Sequence, residues 1–492
     1  MRTFGVILFT LFIVCNTAFS QDTSCGIVWE PPIQLSPDSL ANEHGASIAV
    51  QGDTIHVSWR DSGLRFPYCR SVDGGKTFEP LRELAPESTI VQNSFILGST
   101  KNLYAFWIKA ILIDNRTSYS GWMRKSTDRG TTWDNAKFVM DSVGMWHFNA
   151  AYGDTILLGA FKPAEYIRLY RSTDAGNTWY ATLPKIIGNN PKMTLISSAL
   201  HRVAGWTFDS AGIFSEFVVQ YRRSTNLGDT WSDSINLSSI NNPYAGEPYI
   251  ASDSKGDSSV VISAWKDAKY GCESGIGCSV LGRTSEDNGF TFQPETRFDE
   301  RPAGSFTTPA VHSNVMAVSW SDDLPDGGVL IRVSRDAGLH WCPPYLVSSG
   351  GGEQKVAITD NVIHVAYGKL FGDSPLDTFK IFYRRGVLLP TSVNEKPSKP
   401  GHFELSQNYP NPFNPLTTIH FEIEELSDVS LKVFDLIGRE VITLVSERKQ
   451  PGSYQAEWNG EHHASGVYFY RLTSYNTKQG LQVRTHKMVL LK

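Results

Sequence analysis

The chain has 492 residues, of which 41% are hydrophobic, 19% are charged and 12% are aromatic. Its net charge of -5 argues against a nucleic-acid partner, and no run of Lys and Arg predicts a membrane-binding patch. With 41 Gly and 13 Trp, the composition is typical of a turn-rich, all-β protein that can bury a large core.

The N-terminal segment has the pattern of a secretory signal peptide. Arg2 precedes an apolar run over residues 6–14, and small residues stand at the -3 and -1 positions of a cut before Gln21. The run is too short for a spanning helix, and no later stretch predicts a membrane span. We therefore predict that residues 1–20 are removed. The alternative is a lipoprotein anchored at Cys15, although the residue before it is not small.

Five cysteines remain after the predicted signal peptide, and export permits disulfides between them. Cys272 and Cys278 enclose a short loop that contains Gly, so they are the best candidate pair. Cys25, Cys69 and Cys342 cannot be paired from the sequence, and one cysteine must be left over. The spacings do not make a zinc site, so we predict neither a metal nor another cofactor.

One motif, Ser-x-Asp-x-Gly-x-Thr-aromatic, occurs six times, first from Ser71 to Phe78. It has the chemistry of a hairpin turn, because Asp or Asn accepts backbone N–H bonds and Gly supplies a positive φ. We therefore predict a structural role, and no metal or catalytic role, for the third residue of each copy: Asp73, Asp128, Asp174, Asn226, Asp287 and Asp336.

The six copies resemble the Asp box, or BNR repeat, of sialidase-like β-propellers. Between the boxes, pairs of strand-like segments end on an aromatic residue, as in Thr54–Trp59. From Ala46 to Val356 the repeats average about 52 residues, which suits a blade of four strands. A seventh strand pair lacks a box. We therefore predict an all-β, seven-bladed propeller over residues 21–388, with six blades, the number in sialidases, as the alternative.

The seventh repeat is one strand short. Its last strand ends at Arg384, whereas residues 27–36 resemble the segments that follow the boxes, above all Trp341–Ser348. We predict that residues 27–36 supply the missing outer strand, which would close the ring and remove both sheet edges.

Beyond the propeller, residues 389–402 are a polar, Pro-rich linker. Four motifs follow it: Asn408–Phe413, Val433–Arg439, Ser465–Arg471 and Lys487–Lys492. Residues 403–492 are similar over their full length to the C-terminal sorting domain of type IX secretion substrates. The resemblance implies an immunoglobulin-like β-sandwich that the type IX machinery recognises and often removes. A small adhesive β-sandwich is the alternative.

In a four-stranded blade the boxes share one face with the loops that join the first and second strands. Ligand sites of propellers usually lie over the central channel on the other face, which we call the channel face. The sequence places these polar and aromatic residues there: Glu43, His44, Arg60, Asp61, Trp146, His147, Lys162, Glu165, Glu247, Tyr249, Lys266, Asp267, Asp322, Asp323, Glu353 and Gln354.

A glycoside hydrolase needs two carboxyl groups at the scissile bond, or a Tyr with its Glu as in sialidases. Asp61 is the best candidate acid, and Tyr249 with Glu247 is the best candidate nucleophile pair. Resemblance to sialidases also implies three Arg around the substrate carboxylate. Only Arg60 is well placed, because lysines stand at the other strand ends and lack the bidentate fork.

We therefore favour a secreted or cell-surface binding or scaffolding propeller that recognises a glycan or protein at the channel mouth. The alternative is a secreted glycoside hydrolase, a sialidase-like exo-glycosidase. Aspartates on the channel face would repel an anion, so the sequence predicts a neutral or cationic glycan ligand: the aspartates are Asp61, Asp267, Asp322 and Asp323.

Overall fold

A computed structural model describes residues 25–37, 44–61, 64–86, 89–113, 116–162, 165–182, 189–196, 199–205, 207–208, 214–239, 244–255, 258–271, 278–301, 304–322, 327–371, 378–389, 403–408, 411–449, 452–476 and 480–491. The predicted signal peptide and residues 390–402 of the predicted linker lie outside these ranges. Residue contacts divide the chain into two compact units, Met1–Leu389 and Pro390–Lys492. Nowhere in the described ranges is there a helix of the length and hydropathy that a membrane span requires.

The first unit is a β-propeller. Its described strands form seven antiparallel sheets in which consecutive strands are hydrogen-bonded neighbours, and we name the strands of each sheet inner, second, third and outer. The strands of the first four sheets are His44–Gln51, Thr54–Arg60, Pro67–Ser71 and Arg82–Glu83 in sheet 1; Ile90–Gly98, Leu103–Ile113, Arg116–Ser126 and Lys137–Asp141 in sheet 2; Met145–Tyr152, Thr155–Lys162, Glu165–Ser172 and Tyr180–Ala181 in sheet 3; and Asn189–Leu195, Leu200–Gly205, Gln220–Ser224 and Ile235–Asn236 in sheet 4.

Sheet 4 also carries a separate ribbon of two short strands, Thr207–Phe208 and Phe214–Glu216. The remaining strands are Ala245–Lys255, Ser258–Asp267, Ser279–Ser285 and Thr296–Arg297 in sheet 5; Gly304–His312, Val315–Asp322, Gly328–Ser334 and Tyr345–Ser349 in sheet 6; and Gly352–Thr359, Val362–Phe371 and Thr378–Leu388 in sheet 7, with Ile27–Trp29 and Ile33–Gln34 at its outer edge.

The core of this unit lies between neighbouring sheets. The second strand of sheet 1 is buried on both faces, and Ile55, Val57 and Trp59, which share one of them, have no exposed surface. They pack with Ala366 and Tyr383 of sheet 7. Complete burial of one such side chain stabilises the fold by about 2 kcal/mol. The other face of this strand is also buried but carries His56 and Ser58, so its sequence alternates apolar and polar residues.

The ring closes between sheets 7 and 1. Inner strands of successive sheets contact one another in chain order, and the inner strand of sheet 7 contacts that of sheet 1. The N-terminal strands pair antiparallel with Thr378–Leu388, with Ile27 opposite Leu388 and Ile33 opposite Tyr383. The prediction that residues 27–36 complete the last sheet is therefore confirmed.

A disulfide joins this closing strand to the neighbouring sheet. Cys25 is bonded to Cys342, which lies 317 residues away in sequence between the third and outer strands of sheet 6. Cys69 is a buried free thiol, and burial raises its pKa. Cys278 is disulfide-bonded, while Cys272, its predicted partner, lies outside the described residues.

The second unit is a β-sandwich of two sheets. Its strands are Glu404–Leu405, Leu416–Ile423 and Gly452–Asn459 in one sheet, and Glu440–Lys449, Ser427–Phe434, Gly466–Asn476 and Gly480–Leu490 in the other. Side chains of both sheets form one buried core that includes Trp458 and Tyr470. The Tyr470 hydroxyl donates to the carbonyl of Ser406 over 2.7 Å and accepts the N–H of Asn408 over 2.8 Å.

Candidate functional site

The six boxes form tight turns in which the side chain of the third residue bonds to neighbours within four positions along the chain. In the first box, Asp73 accepts the backbone N–H of Thr77 at 3.0 Å, its hydroxyl at 2.6 Å and the hydroxyl of Ser71 at 2.7 Å. Bonds from the hydroxyl and N–H of Thr132 likewise lower the pKa of Asp128 to about 2. These carboxylates are engaged in the turn, as expected for a structural motif.

The same bonds recur in the other boxes with two changes of chemistry: Asn226 stands in place of Asp, and in the last box the imidazole of His340 replaces the Thr hydroxyl, 2.6 Å from Asp336. Asn226 accepts the N–H of Thr230 at 2.9 Å and donates its amide to the Thr230 hydroxyl at 2.9 Å. The bond from the backbone N–H is unchanged. In the bond to the Thr230 side chain the amide donates and the hydroxyl accepts, whereas the Thr77 hydroxyl donates to Asp73. The remaining boxes use a carboxylate in this position: Asp174, Asp287 and Asp336.

In three boxes, the Gly packs against the hydroxyl group of a Tyr from the preceding sheet. The sequence did not reveal this contact. A Cβ on Gly75 would lie 1.9 Å from the hydroxyl oxygen of Tyr383, which is itself 2.6 Å from Nδ1 of His364. Burial lowers the pKa of His364 to about 3, so this His is neutral. The other two Tyr–His pairs meet Gly130 and Gly289: Tyr68 with His56, and Tyr221 with His201.

On the channel face, the inner strand of every one of the seven described sheets is interrupted by a bulge near its start. Bulges re-aim side chains and are frequent beside functional sites. Pairing resumes at Lys192 in sheet 4, at Tyr249 in sheet 5 and at Lys355 in sheet 7. These three residues occupy the same place relative to the bulge.

Their side chains meet across the central channel. The ammonium of Lys192 lies 4.9 Å from the ring centre of Tyr249, and that of Lys355 lies 5.5 Å from it. Because sheet 6 separates sheets 5 and 7, a contact between their inner strands spans the channel. All three side chains are half-buried. We call Lys192, Tyr249 and Lys355 the channel cluster.

The two cations alter the acidity of the phenol. Burial alone would raise the pKa of Tyr249, but the positive charges of Lys355 and Lys192 outweigh burial and hold it below its usual range. Burial, together with repulsion from Lys355, lowers the pKa of Lys192. Perturbed groups of this kind in a channel are typical of a functional site.

Glu247 lies beside the channel cluster with a positive φ of 49°. Its carboxylate is 3.0 Å from the ammonium of Lys266 and accepts the Tyr244 hydroxyl at 3.5 Å. The hydrogen-bond and ion-pair partners of Glu247 are therefore Tyr244 and Lys266, and its pairing with Tyr249 as a nucleophile stays a prediction. The structure also adds Lys192 and Lys355, which sequence reasoning missed.

Asp61, the predicted acid, is buried and bonded to one neighbour. Its oxygens accept the backbone N–H of Arg65 at 2.8 Å and the Nε of Arg65 at 2.6 Å. Arg60 donates to the carbonyl of Gln92 in sheet 2 at 3.0 Å. Arg60 therefore links sheets 1 and 2, whereas the bonds of Asp61 are local to its own loop. A catalytic role for Asp61 stays a prediction, and its bonds to Arg65 do not favour it.

The other predicted carboxylates of the channel face also have partners. Asp267 accepts the indole N–H of Trp265 at 2.9 Å, and Asp322 lies 2.7 Å from the guanidinium of Arg301. Asp322 and Asp61 are therefore each paired with a cation, whereas the indole that donates to Asp267 is neutral. A charge that is paired at close range contributes little to the field farther away. The expectation that the aspartates of this face repel an anionic ligand stays a prediction.

Glu353 and Gln354 join sheet 7 to its neighbours. Glu353 accepts the N–H of Gly45 in sheet 1 at 2.9 Å, and Gln354 accepts the Ser321 hydroxyl at 2.8 Å and donates to the carbonyl of Phe306. These contacts help to hold neighbouring sheets of the ring together.

Trp146 is buried against Phe95 and Phe106 and is a core residue. The remaining predicted positions cannot be placed: Glu43 and Asp323 lie outside the described residues, as do the side chains of His44, His147, Lys162 and Glu165. Among the described residues, no group of three or more His, Cys, Asp and Glu could hold a metal ion.

Residues 407–485 match a family model described as a secretion system C-terminal sorting domain. The match covers the β-sandwich and its Asn408–Phe413, Val433–Arg439 and Ser465–Arg471 motifs. The C-terminal unit is a sorting domain. The protein is therefore secreted or displayed at the cell surface, and the sorting domain implies handling by the type IX secretion system. No curated protein matches the chain.

Several solved structures have similar folds at low sequence identity. A Dyadobacter fermentans protein of unknown function is 13% identical, with a TM-score of 0.46 and coverage of 74% of this chain and 99% of that one. A sialidase from Trypanosoma rangeli is 10% identical, with a TM-score of 0.45 and coverage of 93% and 88%. A polysaccharide lyase, the PL25 ulvan lyase, is 8% identical, with a TM-score of 0.47 and coverage of 71% and 95%.

Proposed function

We propose that the protein is a secreted or cell-surface binding propeller that recognises a glycan over its central channel. The observation that carries this proposal is the channel cluster. Three sheets direct Lys192, Tyr249 and Lys355 to one point, and all three side chains remain partly accessible. An aromatic ring with polar groups at a concave surface is the usual composition of a ligand site.

The catalytic residues that a hydrolase requires have less support. Glu247 is paired with Lys266, and both oxygens of Asp61 are bonded to Arg65. A general acid must reach the substrate with its carboxyl group, whereas the Asp61 side chain is buried and both of its oxygens are engaged by Arg65. Binding without turnover therefore agrees better with these contacts.

A screen of the mature full-length protein on an array of neutral and anionic glycans tests the proposal. Tyr249→Ala is expected to weaken binding at least tenfold, because an aromatic anchor at the centre of a site carries much of its affinity. Tyr180→Ala is the matched control, since Tyr180 is an exposed aromatic on the outer strand of sheet 3. If no glycan binds, or if Tyr249→Ala binds as the parent does, the proposal is wrong.

The second candidate is a glycoside hydrolase that uses Tyr249 as its nucleophile, and the lowered pKa of Tyr249 favours it. Fluorogenic glycosides, assayed with the parent protein and Tyr249→Phe, test this candidate. We expect no turnover of a sialoside, because Arg60 alone cannot replace a clamp of three Arg. Sialoside turnover that Arg60→Ala abolishes would establish the hydrolase instead.

A further inference from the structure

We infer that the channel cluster binds an anionic group, a carboxylate or a sulfate, of an extracellular glycan. This inference rests on the proposed function and specifies its ligand. It replaces the neutral or cationic ligand that the sequence predicted.

The local charge supports an anion. Lys192 and Lys355 place two ammonium groups about one aromatic ring, 4.9 Å and 5.5 Å from its centre. Lys266 adds a third cation, and Glu247 compensates it over 3.0 Å. Three of these four charged side chains are cations, and they share a confined space in which electrostatic interactions are screened less than at an open surface.

Two ammonium groups that face the same ring also repel each other. Part of that repulsion is visible in Lys192, whose pKa is lowered by burial and by Lys355. An anion between the two lysines would relieve it, and the hydroxyl of Tyr249 could donate to the same anion. Charge-assisted bonds of this kind are stronger than neutral ones.

The residue type indicates which anions fit. Lys presents a point charge on a flexible stem, whereas Arg presents a planar fork that matches one carboxylate in a fixed orientation. Two lysines that approach one ring from different sheets therefore suit an anionic group held without a fixed orientation, such as a carboxylate of a polyuronate or a sulfate of a sulfated glycan.

The test compares polymers that differ in charge. Dextran sulfate and dextran share a backbone, and polygalacturonate supplies carboxylates in place of sulfates. Affinities are measured with the mature full-length protein and with Lys192→Met and Lys355→Met. Lys76→Met is the control, because Lys76 is an exposed lysine in the first box, on the opposite face.

Each channel substitution is expected to weaken binding of at least one anionic polymer about tenfold, the ordinary effect of losing one charge-assisted contact. Lys355→Arg should restore most of the affinity, and Lys76→Met should change it less than twofold. Unchanged thermal midpoints would show that the fold is retained. If Lys192→Met fails to fold, the two Lys355 variants decide the result.

Three outcomes overturn the inference. Binding of the anionic polymers that both Lys→Met variants retain would exclude the cluster as their site. A neutral array glycan that binds while dextran sulfate and polygalacturonate do not would contradict the anionic ligand but leave the proposed function intact. Failure of every glycan to bind would remove both the inference and the proposed function.

Discussion

The two faces of the propeller are built from repeats in different ways. On the box face, six turns repeat a similar set of side-chain bonds between residues at most four apart, as between Asp73 and Thr77. On the channel face, the inner strands repeat a bulge, but the side chains beside it differ from sheet to sheet. Lys192, Tyr249 and Lys355 occupy one repeated position with different chemistry.

This difference separates the turns that stabilise the fold from the channel side chains that distinguish this chain from other propellers. A turn that depends on local bonds can be copied into every sheet, because its neighbours within the turn are always the same. A channel position faces all the other sheets at once, so its role depends on what the rest of the ring presents. Function is therefore expected where the repeat varies.

Both faces exist only when the ring of sheets is closed. The largest predicted loss of stability therefore comes from weakening that closure. Replacing Cys25 and Cys342 with Ala removes a crosslink between residues 317 apart. The chain-entropy model gives a loss of up to about 5 kcal/mol in the free energy of unfolding. Urea denaturation of the mature protein measures it. Cys69→Ala keeps the disulfide and should cost about 1 kcal/mol. Equal stability of parent and double variant would show that strand pairing alone closes the ring.

A single glycine substitution on the box face is expected to destabilise the propeller. Gly74 and Gly75 are adjacent in the first turn and both have positive φ, but only a Cβ on Gly75 meets another atom, the Tyr383 hydroxyl. Gly74→Ala should cost about 1 kcal/mol for the left-handed backbone. Gly75→Ala should cost about 3 kcal/mol, because overlap with Tyr383 adds to that strain. Equal midpoints for the two variants in urea would contradict packing between the box and sheet 7.

A smaller effect tests whether charge or geometry matters in the boxes. Asn226 already replaces Asp, so Asp174→Asn should cost less than about 0.5 kcal/mol and Asp174→Ala about 1 to 2 kcal/mol.

The pKa of Asp174 leads to a prediction about the stability of the protein at low pH. Bonds from Thr178 lower the pKa of Asp174 to about 2, below the value near 4 expected in the unfolded chain. Its contribution is therefore present above pH 4 and lost as the pH falls through 2. Acid titration of the folded signal should show less of this loss in Asp174→Asn. A steeper acid transition in that variant would be inconsistent with this role.

The smallest predicted effect on stability comes from an ion-pair cluster that joins three neighbouring sheets near the ends of their inner strands. His312 lies 3.1 Å from Asp253 and 2.8 Å from Asp360, and these partners raise its pKa to about 9, with the Asp253 bond the largest cause.

Because the folded pKa exceeds the usual value near 6.5, His312 stabilises the fold fully below pH 6.5, and the contribution fades as the pH rises through 9. The His312 side chain is 37% exposed, so solvent screening limits the effect to about 1 kcal/mol. His312→Gln should therefore be less stable than the parent at pH 6 and nearly equal at pH 9.5. A constant difference between the two pH values would exclude ionisation of His312 as its source.

The sequence alone determined the features that depend on neighbours along the chain. The Ser-x-Asp-x-Gly pattern predicted six turns, and alternation of strand pairs with turns predicted the propeller. The missing strand of the last repeat predicted its completion by residues 27–36. The motifs after Leu389 predicted the sorting domain. Each of these is a local pattern or a count of such patterns.

Only the tertiary structure decided which side chains meet across the ring. The pairing of Cys25 with Cys342 and the approach of Lys192 and Lys355 to Tyr249 join residues far apart in sequence. Spacing along the chain carries no information about such contacts, because they depend on how many sheets close the ring and on where each bulge turns its strand. For the same reason the sequence could place Tyr249 on the correct face but not the two lysines that define its chemistry.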